Sequence, residues 1–196
     1  MKIKLSILII CIYFLNINNL LATDPEIFVQ STVNRASKIL SEDLTKEKKM
    51  LELQNIAKDT VDIDGIGFYS LGSIRKNLDE EQKKEYAEIF EKYFLKSFSS
   101  RLAEYTNPEI NVLGKEILNK NYTIVNSLLK GTNDRPEIKI DWRIYTKDPE
   151  KPLIRDLIIE GLSLARTQKE EFNSVLQSND NDITVLFKTL MAFIEN

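Results

Sequence analysis

The stretch IRDLIIEGLSLARTQKEEF, residues 154–172, decides the fold. Leu157, Ile158 and Ile159 put apolar bulk on both faces of an extended segment, so a strand over 153–164 is central or covered on both sides. Thr167-Gln168-Lys169-Glu170 then reads as a capping box that starts a helix, with Phe172, Val175 and Leu176 on its apolar face. The middle of the stretch raises a chemical question. Gly161-Leu162-Ser163-Leu164-Ala165 differs from the G-x-S-x-G nucleophile elbow only at its last residue. A serine needs a positioned base to become a nucleophile, and the chain contains no histidine. An S-x-x-K pair fails too, because Arg166 stands where the lysine belongs. Ser163 therefore reads as a small side chain at a strand end. Asp156 and Glu160 share one strand parity, but four strand residues span about 13 Å. Glycosidase carboxylates sit roughly 5 to 9.5 Å apart. These two read as strand-end acids paired with neighbouring basic residues.

Upstream of this stretch the period is that of strands. Segments 109–113, 121–129 and 137–145 are bounded by turn residues. Ile138, Ile140, Trp142 and Ile144 alternate with Lys139, Asp141 and Arg143, which predicts a strand with one wet face. The joining turns are too short for parallel crossovers, so the sheet is an antiparallel meander. Further upstream the period is helical. Asp24-Pro25 opens a helix to about Ser41, a second runs over 45–60, and a short one covers 65–71. Asp79-Glu80-Glu81-Gln82 caps the longest helix. Its apolar stripe is mostly aromatic: Tyr86, Phe90, Tyr93, Phe94, Phe98 and Tyr105 accompany Ile89 and Leu102. Such a stripe either packs a core or lines a cavity. Downstream, Asp182 caps a last helix with Ile183, Leu186, Leu190 and Phe193. The order of elements predicts an α+β fold: N-terminal helices, a curved antiparallel sheet of about four strands, and two C-terminal helices.

The first 22 residues read as an export signal. Lys2 and Lys4 precede an apolar run over 5–15, and Leu20-Leu21-Ala22 offers a small residue at the cleavage point. The run is too short to span a bilayer as a helix. Cleavage removes Cys11, the only cysteine, and leaves residues 23–196 as one domain without thiol chemistry. Without Lys2 and Lys4 the 27 basic residues become 25 against 30 acidic, a net charge of −5. With no basic cluster, nucleic acid is not an expected partner.

Other chemistries find no residues to carry them. Asp62-x-Asp64-Gly65 resembles the centre of a calcium loop, but Thr60 and Leu71 occupy the positions that need acids; a helix cap and turn fit better. Zinc lacks histidine and mature cysteine. No glycine-rich phosphate loop occurs. No cofactor, no metal and no enzymatic activity are expected. An exported domain with an aromatic helix stripe and a half-apolar sheet suits a carrier of an apolar ligand. Burying a lipid tail gains about 0.8 kcal/mol per CH₂, on the order of 20 kcal/mol for two tails. An apolar cavity between helices and sheet shelters such tails during a passage through water. A solid interaction module and a carrier of polycyclic or isoprenoid lipid are the alternatives.

Two segments add a family likeness. Leu71-Gly72 is followed at matching spacing by Gln82, Tyr86 and Phe90, and Ile159-Glu160-Gly161-Leu162-Ser163-Leu164 is followed by Phe172. With the order of elements, these make the chain resemble the MlaC family, the toluene-tolerance periplasmic phospholipid-binding proteins, over nearly all of residues 25–194. It departs from the family pattern at Arg75, Glu80 and Pro152, where an aromatic, a proline and a tryptophan are common. The resemblance implies a periplasmic shuttle that maintains outer-membrane lipid asymmetry. Its partners would be phospholipid, an inner-membrane ABC transporter complex with an MCE-domain protein, and an outer-membrane lipoprotein–porin complex. It places the lipid-binding residues at Phe90, Phe94 and Phe98 of the long helix and Ile140 and Trp142 of the strands. Leu157, Ile159, Leu162 and Phe172 complete the set.

Overall fold

The computed structural model describes residues 22–132 and 135–196. The expected export signal, apart from Ala22, lies outside the described residues. Four helices lead, α1 (Pro25–Ser41), α2 (Lys46–Thr60), α3 (Ile63–Ser70) and α4 (Glu80–Leu102), with a 3₁₀ turn at Ile74–Lys76. Strands β1 (Ile110–Asn119), β2 (Tyr122–Leu129), β3 (Ile138–Tyr145), β4 (Leu153–Ile159) and β5 (Leu162–Ser163) follow, and α5 (Leu164–Gln177) and α6 (Ile183–Glu195) close the chain. The sheet is an antiparallel meander in the order β1-β2-β3-β4-β5. The class is α+β, as expected.

Helix starts sit where short polar side chains offer oxygen to free backbone N–H groups. Asp24 accepts from the Glu26 amide at 2.8 Å, and Pro25 fixes the first helical φ. Thr45 accepts from the Lys48 amide. Asp79 and Gln82 close a reciprocal box, the Gln82 amide donating to Asp79 at 2.8 Å and the Asp79 amide to the Gln82 side chain at 3.1 Å. Asp62, half of the calcium-like motif, is the N-cap of α3: it accepts from the Gly65 amide at 2.8 Å and pairs with Arg155. Arg155 lies across the bare Cα of Gly65, where a methyl group would come within 2.5 Å of the guanidinium.

The core lies between the helices and one sheet face. Register fixes that face: Trp142 stands opposite Val125 on β2 and Leu157 on β4, and Ile140 stands opposite Ser127 and Ile159. It is called the inner face below. Helices α1, α3 and α5 come closest to the strands, whereas α4 packs on α2, α3 and α6. Side chains, rather than close backbone, therefore span the space between α4 and the sheet.

Three sequence-based boundaries change. β1 runs to Asn119 instead of stopping near Leu113. It is an edge strand with a bulge between Val112 and Gly114, and its second half is exposed on both faces, so no apolar alternation marks it. The expected strand over 153–164 breaks at Glu160 (φ 50°) and Gly161 (φ 82°), whose left-handed backbone turns the chain into the two-residue β5. β4 is thus next to the sheet edge, covered by α3 and α5, rather than central. The last correction is α5, which starts at Leu164 and not at Thr167. Ser163 is its N-cap and accepts from the Arg166 amide at 3.1 Å.

Candidate lipid-binding site

Buried Asp156 explains the early start of α5. Its carboxylate accepts from the Ser163 hydroxyl at 2.6 Å and the Ala165 amide at 3.0 Å, with the Arg143 guanidinium 3.5 Å away. Ser163 is thereby committed to capping a helix. Among the described residues Glu160 has no basic side chain within ion-pair distance; it accepts from the Lys139 backbone amide.

The aromatic stripe of α4 lies opposite its exposed residues Glu85, Glu88 and Lys92. In the first half, Tyr86, Ile89 and Phe90 are buried. The Tyr86 ring stacks on Phe90 (5.6 Å) and Phe187 (6.2 Å), and Phe172 of α5 meets Phe90 edge-on at 6.1 Å. The bare Cα of Gly67 lets α3 approach: a methyl there would sit 2.7 Å from the Phe90 ring. The Tyr86 hydroxyl donates to the Gly67 carbonyl at 2.9 Å. Burial pushes the Tyr86 phenol well above its ordinary pKa, with Tyr93 adding to the effect. Burial also raises Tyr93, against the bond it donates to Gln168 at 3.0 Å.

In the second half of α4, Phe94 and Phe98 stack on each other at 5.7 Å and 9° and remain only partly buried. The inner sheet face shows the same gradient. Val125, Trp142, Ile144 and Ile154 are buried; Ile110, Val112, Leu129, Ile138 and Leu157 are partly exposed. Ile110, Leu129 and Ile138 align across three strands at the sheet end where β2 finishes and β3 begins.

The nine residues expected to touch lipid divide accordingly. Phe90, Phe172, Ile140 and Trp142 belong to the buried cluster, and Phe94, Phe98 and Leu157 are partly buried against it. Ile159 is half-buried opposite Ile140. Leu162 shares the inner face through its pairing with Ile159, but on the short outermost strand it is 60% exposed. Sequence reasoning missed Ile110, Val112 and Leu129, whose alternation was visible, and Ser127, which no apolar pattern marks. Fully buried Ser127 accepts from the Trp142 indole N–H at 2.9 Å and donates to the Ile140 carbonyl at 2.9 Å. It thereby satisfies the polar edge of the largest side chain on that face.

The opposite sheet face differs in chemistry. A cleft of about 290 Å³ there is lined by Arg143, Arg155, Tyr122 and Leu118, with Ile66 and Tyr69 of α3. Its cations are already occupied. Arg155 pairs with Asp62 and lies 4.6 Å from the Tyr145 ring centre, and Arg143 faces Asp156. On the inner face, by contrast, the partly buried side chains Ile110, Val112, Leu129, Ile138 and Leu157 are all apolar.

The chain matches the family model described as MlaC protein over residues 30–192. Among solved structures, it is similar to a phospholipid-binding protein from Ralstonia solanacearum, determined in complex with a phospholipid. The identity is 18%, the TM-score 0.74, and the match covers 88% of this chain and 98% of that one. A comparison with curated proteins gives no match.

Proposed function

The chain belongs to the MlaC family, and from that membership we propose that it is a phospholipid carrier that shelters acyl chains between α4 and the inner sheet face. One observation carries the reading: apolar side chains on both walls, Phe94 and Phe98 on one and Ile110, Leu129, Ile138 and Leu157 on the other, are turned inward yet left partly unburied. An acyl chain inserted there removes apolar area from water on both sides at once, at about 25 cal/mol per Å². Phe90, Ile140, Trp142, Ile159 and Phe172 form the deeper floor and sides. Leu162 belongs to the rim. Residues 1–22 direct export, and the carrier works in the periplasm. It receives lipid from, or delivers it to, an outer-membrane lipoprotein–porin complex and an inner-membrane MCE-domain transporter, in the service of outer-membrane lipid asymmetry. No chemistry is done on the lipid. The test is mass spectrometry of organic extracts from the purified native protein. Stoichiometric phospholipid is expected. An extract free of lipid, together with failure to bind added phospholipid, would refute the proposal.

A further inference from the structure

At one end of the apolar region, Arg135 is placed for an anionic ligand. β2 ends and β3 begins there, with Ile110, Leu129 and Ile138 side by side, and the Lys130 amide bonds to the Glu109 carbonyl at 2.8 Å. The two lysines at this end have acid partners: Lys130 meets Glu109 at 2.8 Å and Lys139 meets Asp141 at 3.1 Å. Arg135, in the connection between β2 and β3, differs. Its guanidinium has no carboxylate within ion-pair distance among the described residues. It rests 5.7 Å from the ring centre of Tyr105, just beyond the end of α4. The Thr132 amide donates to the Arg135 carbonyl at 2.8 Å, and a methyl on Gly131 would meet that same carbonyl at 2.9 Å, so the arginine backbone is held close to the end of β2. The aromatic face orients the planar fork while its N–H groups remain available. Tyr105 follows Phe94 and Phe98 in sequence, three residues past the end of α4.

We propose that Arg135, oriented by Tyr105, binds the phosphodiester of the carried lipid at the mouth of the apolar region. This rests on the carrier reading and adds a polar subsite to it. An arginine fork matches two phosphate oxygens, and charge-assisted bonds of this kind are stronger than neutral ones. Tails alone would then bind less well than tails with a phosphate.

The experiment compares dipalmitoyl phosphatidylglycerol with dipalmitoylglycerol, which has the same tails and no phosphate. Binding is read from the emission of Trp142, the single tryptophan. The wild type should hold the phospholipid about tenfold more tightly, as one charged hydrogen bond implies. Arg135→Gln should bring the two affinities together by weakening the phospholipid alone, and Tyr105→Leu should do so in part. Arg135 is exposed, so its replacement leaves the fold intact. If both lipids bind and Arg135→Gln leaves their ratio unchanged, the head-group role is wrong and the carrier reading stands. If neither lipid binds the wild type, the carrier reading falls as well. Glycerol 3-phosphate, added alone, should neither bind nor compete at millimolar concentration. Arg135-dependent binding of it without discrimination between the two lipids would make the site one for free phosphate and overturn the proposal.

Discussion

Along α4, Tyr86, Ile89 and Phe90 are sealed by α3, α5 and α6, while Phe94 and Phe98, one and two turns further on, keep part of their surface exposed. The residue types hardly change along the stripe; the neighbours do. In the first half a glycine on α3 and a phenylalanine on α5 bring backbone and rings against the stripe. Past Tyr93, whose ring still meets Phe172 of α5 and Phe193 of α6, the ring contacts among the described residues run along α4 itself, Phe90 to Phe94 to Phe98. The lesson is that one aromatic stripe meets two environments: its first half is sealed within the domain, and Phe94 and Phe98 further on keep apolar surface uncovered.

The largest effect expected is on stability in the sealed half. Phe90→Ala should cost about 3–5 kcal/mol in urea denaturation, because the ring is enclosed on all sides and its neighbours cannot collapse into the space. Phe98→Ala should cost markedly less, about 1 kcal/mol, since a partly buried ring loses less burial. Equal costs would erase the distinction between the halves. Asp156→Ala should come next, at about 3 kcal/mol, by uncapping α5 and leaving Arg143 without its buried partner. The loss should appear as increased amide exchange in the first turn of α5. Asp79→Ala, which opens the α4 capping box, should cost about 1 kcal/mol by the same denaturation measurement.

Phe94→Asp reverses the order of effects. Its stability cost should be modest, because the carboxylate can reach water, while bound lipid should fall several-fold in extracts. Unfolding of that variant would mean that the second half is core as well. The smallest expected effect is on acid stability. The hydrogen bond from Lys115 holds the Asp24 carboxyl below its ordinary pKa despite some desolvation. A lowered folded-state pKa stabilises the fold above the unfolded value, and that contribution disappears as pH falls through the folded one. Asp24→Asn should therefore flatten the acid limb of the stability profile slightly, the pair being partly solvent-exposed.

The fold was largely legible because its signals are local. Caps at Asp24, Thr45, Asp79 and Asp182 and the alternation of β3 depend on neighbours in sequence. The Thr167 box misled because a longer-range bond outcompeted it: Asp156, across a tight turn, fixes Ser163 and the Ala165 amide and starts the helix three residues earlier. The second half of β1 was hidden because an edge strand exposed on both faces has no apolar period. Within the candidate site, composition marked the aromatic stripe but not where it opens. That depends on Gly67 admitting α3 and on Phe172 crossing from α5, contacts between segments far apart in sequence. Ser127 could not be foreseen, since its role exists only once β2 and β3 are in register.

Trp142, alone of its kind and centred on the inner sheet face, offers the most direct measurement. If an acyl chain lies against that face, phospholipids carrying bromine at successive positions along one chain should quench its emission, most strongly at one depth. Tight binding of the same lipids with no quenching at any position would place the acyl chains elsewhere and contradict a lipid site between α4 and the sheet.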